Sequence, residues 1–88
     1  MHYEFDDNKD SSNLTKHGVS FSEADAFDWD SAVVREDLRK PYSERRFQAV
    51  GYLNERLHVM VFCLRADVVR VISLRRANLR EVNDYAKT

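Results

Sequence analysis

The alternation of apolar and polar positions predicts a strand-rich domain with four consecutive strands in its middle. Residues 45–53 alternate, with Phe47, Ala49 and Leu53 on one face, as expected for a strand that is buried on one side. Residues 56–64 are apolar on both faces, which is typical of a central strand. Two-residue turns at 54–55 and 66–67 predict antiparallel pairing. The predicted strands are 31–36, 45–53, 56–64 and 68–76.

Signals at the ends of polar segments predict two helices before these strands. Residues 6–17 begin with acids and end with Lys16 and His17, and Gly18 follows as a stop, so the segment is predicted to be a polar helix. Ser20 and Glu23 form a capping box that opens a short helix through about Phe27. Its apolar side, with Phe21, Ala24 and Phe27, is expected to join the core.

A third helix is predicted at the other end of the chain. Asn78 and Glu81 form another capping box, and the helix from Leu79 to about Lys87 carries a stripe of Leu79, Val82 and Ala86. Residues 2–5 alternate polar and aromatic, which predicts a short first strand. The resulting order is strand, helix, helix, four antiparallel strands and helix, so the expected fold class is α+β.

Length and cysteine content limit the architecture. With 88 residues we expect one domain, 1–88, with a single modest core. The only cysteine, Cys63, lies in an apolar run, so no internal disulfide is expected and a core position is predicted. The first ten residues contain neither a basic start nor an apolar run, so no signal peptide or membrane span is predicted and a cytoplasmic protein is expected.

The charges are divided unevenly along the chain. Residues 1–37 hold ten acidic and three basic side chains, and residues 38–88 hold five and eleven, so net charges of −7 and +6 offset each other. This asymmetry indicates a surface that attracts anions, although the fold can also interleave the two halves. The overall pI of about 6.3 argues against a general nucleic-acid binder.

Arginines crowd the junction between the last strand and the last helix. Arg70, Arg75, Arg76 and Arg80 lie within eleven residues, where they repel one another. Such a cluster is tolerated most easily where it meets a polyanion or an acidic partner. The alternative interpretation is a solvated charged surface.

The chemistry available to these residues favours metal-free cleavage of RNA. His2, His17 and His58 are too widely spaced to form a sequence motif for metal binding, and no phosphate loop is present, so no cofactor and no metal are predicted. RNA cleavage needs a base for the 2′-hydroxyl proton, fixed cations for the charge on the phosphate and an acid for the leaving 5′-oxygen. Arginine suits the second role because its planar fork binds phosphate oxygens in pairs.

The chain resembles the BrnT family of ribonuclease toxins over nearly its whole length. The first half of the resemblance is carried by Phe5, Asp6, Asn8, Lys9, Asn13, the block KHGVSF at 16–21, Glu23, Ala24 and Phe27. The second half is carried by Glu44, Arg46, Phe47, Gly51, Arg65, the block RVIS at 70–73, RRA at 75–77, Arg80, Glu81 and Tyr85.

The resemblance implies a RelE-like fold, with a four-to-five-stranded, largely antiparallel sheet packed with two N-terminal helices and one C-terminal helix. It implies a cytoplasmic toxin of a type II toxin–antitoxin system that cleaves RNA and inhibits translation. The implied partner is a BrnA-type ribbon-helix-helix antitoxin, and promoter DNA is expected to be bound only through the complex. A rival interpretation is a toxin-fold protein without catalysis that acts as an antitoxin-binding corepressor.

Ten side chains are candidates for the site. Arg46, Arg65, Arg75 and Arg76 are expected to stabilise the pentavalent phosphate, with His17 as the proton carrier. The expected substrate-binding residues are Lys16, Arg70, Ser73, Arg80 and Tyr85.

Several of these candidates also have plain structural interpretations. His17 is placed equally well to interact with the end of a helix or to act as a general acid. Arg70 can instead pair with an acid on the neighbouring strand, and Tyr85 can be a half-buried helix anchor. Ser73 can be a strand hydroxyl that is satisfied by backbone. His58 is predicted to share a face with Ser73 and Arg75 only if the second turn has two residues, so it is left out of the site.

Overall fold

A computed structural model describes residues 1–88, and it contains a five-stranded mixed sheet with three helices. The predicted α+β class and the predicted order of elements are confirmed. The elements are β1 (His2–Glu4), α1 (Asp7–His17), a 3₁₀ helix (Phe21–Ala26), β2 (Val33–Asp37), β3 (Arg46–Leu53), β4 (Arg56–Arg65), β5 (Val68–Arg76) and α2 (Leu79–Ala86).

The strands lie in the order β1-β5-β4-β3-β2. The last four strands form an antiparallel meander, and both tight turns have the predicted two residues, with Leu53 opposite Arg56 and Arg65 opposite Val68. The pairing of β1 was not predicted: it runs parallel to β5, with His2 opposite Val68. No helix in the chain is long and apolar enough to cross a bilayer.

A β-bulge interrupts the pairing of β4 with β5 and decides which side chains of β5 share a face. Phe62 pairs with Val71, but Val61 pairs with Ser73, so Ile72 is an extra residue on β5. The extra residue exchanges the two faces of the strand beyond it. Leu74 therefore joins Val71 in the core, and Ser73 and Arg75 lie on the opposite face.

The bulge also changes the residue that pairs with His58. A two-residue turn without a bulge would set His58 opposite Arg75. The turn has two residues, yet the bulge shifts the register by one, and His58 pairs with Arg76 instead. His58 is 5% exposed, and its Nδ1 lies 2.8 Å from the Arg56 carbonyl oxygen.

The hydrophobic core lies between one face of the sheet and the N-terminal helices. Phe21, Ala24 and Phe27 are buried as predicted, each at most 5% exposed. Phe5 meets Phe21 edge to face, with ring centroids 5.6 Å apart. Cys63 is also buried, as predicted. The core residues are Val19, Phe21, Ala24, Phe27, Ala49, Leu53, Met60, Phe62, Val69, Val71 and Leu74.

Helix α1 is capped at both ends, and the stop at Gly18 is the one that the sequence predicts. The Asp6 side chain accepts hydrogen bonds from the backbone N–H groups of Asn8 and Lys9. At the other end Gly18 adopts a left-handed conformation (φ 73°), and its N–H donates to the Leu14 carbonyl. These caps explain how a segment with so few apolar residues starts and stops as a helix.

Asn13 attaches α1 to the sheet. Its amide nitrogen donates to the carbonyl oxygens of Leu74 (2.7 Å) and Val19 (2.9 Å), and its amide oxygen accepts from the Leu74 N–H (3.2 Å). Because β1 pairs only with residues 68–70, Leu74 has no strand on its outer side. The Asn13 side chain takes the place of that strand, and it is 6% exposed.

Helix α2 is attached to the opposite face of the sheet through polar groups. The helix has no buried residue, and its stripe is open to solvent, with Leu79 76% and Val82 41% exposed. The Tyr85 hydroxyl donates to the Ser31 carbonyl oxygen at 2.7 Å, which agrees with the alternative interpretation of Tyr85 as a half-buried helix anchor. Its ring meets Tyr52 edge to face.

We expect Asn13→Ala to lower the free energy of unfolding by about 2–4 kcal/mol, because it leaves the Leu74 N–H and two carbonyl groups without partners in a buried site. Denaturant titration followed by circular dichroism measures the change. Ser11→Ala is the matched control, because Ser11 is exposed on the same helix, and its change should stay within about 0.5 kcal/mol. Equal stabilities of Asn13→Ala and Ser11→Ala would show that the amide is dispensable.

Candidate active site

Five of the candidate side chains share the sheet face opposite the core, which we call the arginine face. It is defined by Arg46, Arg65, Arg70, Ser73 and Arg75. The register places them: Arg70 pairs with Cys63, Arg65 pairs with Val68, and the bulge puts Ser73 and Arg75 on the same side as Arg70. Side chains from three neighbouring strands therefore meet on one surface.

The other candidates lie in three different places. Arg76 follows Leu74 in the alternation of β5, so it lies on the core side of the sheet, exposed at the end of the strand and apart from Arg75. Arg80 and Tyr85 are on α2, which covers part of the arginine face. Lys16 and His17 form the last turn of α1.

Three arginines of the arginine face are paired with carboxylates. Arg75 forms a bidentate pair with Glu81, with N–O distances of 2.8 and 2.9 Å. Arg65 binds Glu44 at 2.7 Å. The Arg70 guanidinium lies 3.6 Å from a carboxylate oxygen of Glu4 on the neighbouring strand β1, the kind of partner considered for it from the sequence.

These pairs stabilise the charged forms of both partners. Hydrogen bonds from Arg65 lower the pKa of Glu44, and hydrogen bonds from Arg75 lower the pKa of Glu81. The same bonds raise the pKa values of the two arginines. The positive charge of this part of the arginine face is therefore largely balanced within the chain.

Arg46 has a different environment, because it forms no ion pair. Its guanidinium lies over the ring of Tyr42, 4.2 Å from the centroid, which suits a cation–π interaction. The Tyr42 hydroxyl in turn donates to Asp37 at 3.2 Å. The guanidinium is thus held on an aromatic platform while its N–H groups have no carboxylate to bind.

Asp37 supports this platform. Its side chain is 1% exposed and accepts hydrogen bonds from the Arg39 backbone and guanidinium, the shortest at 2.7 Å. The Arg39 guanidinium, helped by the Tyr42 hydroxyl, holds the pKa of Asp37 well below its ordinary value of 3.8. The carboxylate therefore stays charged near neutral pH and fixes the loop that carries Tyr42.

An open groove of about 960 Å³ runs between α1 and the arginine face. It brings together Lys16 and His17 from the end of the helix with Arg46 from β3 and Ser73 from β5. The set contains two fixed cations, an imidazole and a hydroxyl, which are suitable groups for binding a phosphodiester and moving a proton. No group of three or more His, Cys, Asp or Glu side chains is placed to hold a metal ion.

Sequence reasoning gave no role to Glu4, Asp37 or Tyr42, named Glu44 only within the family resemblance, and considered Glu81 as a helix cap but not as the partner of Arg75. Glu44 lies two residues before Arg46 among the residues that carry the family resemblance, and this position was the available signal that it belongs to the site. Glu4 alternates with Tyr3, which indicates its face, but its partner strand was unknown. Asp37 ends β2 and Tyr42 lies in the loop that follows, where neither periodicity nor capping signals apply.

Comparison with known proteins identifies a family for this chain. A family model described as the ribonuclease toxin BrnT of a type II toxin–antitoxin system matches residues 5–81. A search of the curated proteins finds no match.

We expect Asp37→Asn to destabilise the chain by about 2 kcal/mol at neutral pH, because the charged hydrogen bonds to Arg39 are lost. Folding lowers the pKa of Asp37 from its ordinary value of 3.8. The stabilisation that its carboxylate provides is therefore complete above about pH 3.8 and is lost as the pH falls through the lower pKa of the folded state. The difference in free energy of unfolding between the two proteins should therefore shrink on acidification. Denaturant titrations across a pH series measure it, and a difference independent of pH would contradict the assignment.

Proposed function

Because the chain belongs to the BrnT family of ribonuclease toxins of type II toxin–antitoxin systems, we propose that it is a metal-independent endoribonuclease that acts in the cytoplasm and inhibits translation by cleaving RNA. The observation that carries this proposal is the groove, whose lining includes Arg46, Lys16, His17 and Ser73. These groups supply positive charge and a titratable ring at one place without an acidic partner for Arg46.

In the proposed reaction the 2′-hydroxyl oxygen of the RNA attacks the adjacent phosphorus while solvent water accepts its proton, and the bond to the 5′-oxygen breaks, which leaves a 2′,3′-cyclic phosphate and a free 5′-hydroxyl. Arg46 binds the non-bridging oxygens and stabilises the charge that gathers on them, with Lys16 adding a second cation. His17 donates a proton to the leaving 5′-oxygen, as the general acid of the reaction. Ser73 is proposed to donate a hydrogen bond to the phosphate.

The paired arginines are proposed to bind flanking phosphates of the same strand. Arg65, Arg70 and Arg75 share a face with Arg46, so an RNA crossing this face passes all of them. A phosphate that binds Arg65 or Arg75 replaces the Glu44 or Glu81 carboxylate. Each exchange substitutes one charged hydrogen-bond acceptor for another, so the net gain in binding free energy is modest.

Membership of a toxin–antitoxin family implies an antitoxin partner. We propose that this partner is a BrnA-type ribbon-helix-helix protein that covers the arginine face and so blocks the groove. The complex is proposed to bind promoter DNA through the antitoxin. A RelE-like arrangement of the sheet and helices is part of the same proposal.

A second candidate function, an antitoxin-binding corepressor without catalysis, is favoured by one observation. Glu4, Glu44 and Glu81 occupy three of the arginines on the face where RNA would bind. A face balanced in this way suits a protein interface as well as a nuclease site. The two functions differ in what the chain does when it is present alone.

We expect Arg46→Ala to lower the rate of RNA cleavage by about 100-fold or more, because it removes the unpaired guanidinium that faces the phosphate. Cleavage of a labelled single-stranded RNA by the purified chain measures the rate. Arg45→Ala is the matched control: Arg45 is the exposed neighbour, pairs with Glu36, and should leave the rate within about twofold. Equal losses in the two variants would remove Arg46 from the site.

Expression in bacteria distinguishes the two candidate functions. We expect induction of the unmodified chain alone to stop growth and degrade cellular RNA, and induction of Arg46→Ala to do neither. Growth curves and gel analysis of total RNA provide the measurement. If the unmodified chain leaves growth and RNA intact while its complex with the antitoxin still binds promoter DNA, the corepressor function is correct.

A further inference from the structure

A second cavity, of about 290 Å³, lies on the same face of the sheet, between α2 and strands β2 and β3. Val33 and Val50 supply apolar surface from the sheet, and Tyr85 supplies an aromatic ring from the helix. This volume is near the lower end of the range for sites that hold small organic ligands. Two of its lining residues, Arg80 and Tyr85, were expected from the sequence to bind substrate, and the reaction proposed above gives them no part.

The aromatic wall of the cavity is fixed in place. The Tyr85 hydroxyl is bound to the Ser31 carbonyl oxygen at 2.7 Å, and its ring lies edge to face against Tyr52, with centroids 5.7 Å apart. A ring held at two points loses little conformational entropy when a flat ligand packs against it. The apolar surface of Val33 and Val50 completes a site for a planar group.

The polar groups of the cavity match the rest of a nucleotide. The Gln48 side-chain amide has two N–H donors and a carbonyl acceptor, and these groups can form hydrogen bonds with the edge of a base. Arg35 enters from β2 and Arg80 from α2, and neither forms an ion pair within the chain. Of the two acids that line the cavity, Glu81 is bound to Arg75, and Asp84 forms no ion pair.

The cavity is also placed beside the groove. Gln48 is opposite Val61, and Val61 is opposite Ser73, so Gln48 and Ser73 lie in one row across three strands. Strand spacing separates their backbones by about 10 Å. Glu81 joins the two regions, since it lines the cavity and binds Arg75 of the arginine face.

We propose that this cavity binds one unstacked nucleobase of the RNA, with Gln48 reading the base edge and Arg35 and Arg80 binding its phosphate. Single-stranded RNA is commonly recognised in this way, by bases packed on aromatic rings and hydrogen-bonded at their edges. The proposal rests on the proposed function, and it makes Gln48 a specificity-determining residue for the nucleotide next to the scissile phosphate.

The four ribonucleoside 5′-monophosphates are suitable probes, because they lack the internucleotide bond and cannot be cleaved. We expect the full chain to bind one of them at least about tenfold more tightly than the weakest, as measured by NMR titration. Gln48→Ala should reduce this range to about threefold or less. Arg35→Ala combined with Arg80→Ala should weaken all four by a similar factor, about tenfold. Arg56→Ala, at an exposed arginine outside the cavity, should change nothing.

The outcomes separate this inference from the proposed function. If the chain cleaves RNA but binds the four monophosphates equally, or binds them unchanged after Gln48→Ala and the double arginine substitution, the inference is wrong and the nuclease stands. If the substitutions act as expected but no RNA is cleaved, the nuclease is wrong and the cavity stands. If Gln48→Ala fails to fold, Gln48→Glu removes the amide donor at constant size and decides the same question.

Discussion

The hydrogen bonds between Asn13 and Leu74 are the interaction on which the arrangement of the site depends. They hold α1 against a part of β5 that has no neighbouring strand, immediately beyond the extra residue Ile72. The bulge turns Ser73 and Arg75 toward the arginine face, and the Asn13 amide holds Leu74 in the core between them. The same amide sets the position of the helix whose last turn carries Lys16 and His17, so one buried side chain fixes both walls of the groove.

Electrostatic balance distinguishes the groups of the arginine face from one another. Arg65, Arg70 and Arg75 lie on one surface, and nearby carboxylates offset the repulsion that would otherwise weaken the fold. Arg46 is kept in place by an aromatic ring, which holds the guanidinium without neutralising it. An incoming phosphate therefore meets one cation that is free and three that must first release a carboxylate.

Local signals predicted most of the fold, and the limits of the prediction have clear physical causes. Capping residues located the helices, and alternation located β3, but neither distinguishes a 3₁₀ helix from an α-helix. The bulge at Ile72 exchanges the faces of β5 beyond it, so a prediction that assumes strict alternation along the whole strand assigns the later residues to the wrong faces. Arg75 and Arg76 were both placed in the site, but neighbouring strand residues lie on opposite faces, and the bulge decides that Arg75 and not Arg76 shares the face of Arg70. The pairing of β1 with β5, and hence the role of Glu4, depends on long-range contacts that periodicity does not encode.

The polar attachment of α2 has a thermodynamic consequence. A short helix without a buried residue is expected to open at a lower cost in free energy than the core strands. The cavity that contains Gln48 exists only while this helix is docked. Docking of the helix and binding of a ligand in the cavity are therefore linked equilibria. A bound ligand is expected to slow amide exchange in the helix. A partner that pulls the helix away lowers the affinity for the ligand by the same factor as the ligand lowers the affinity for the partner.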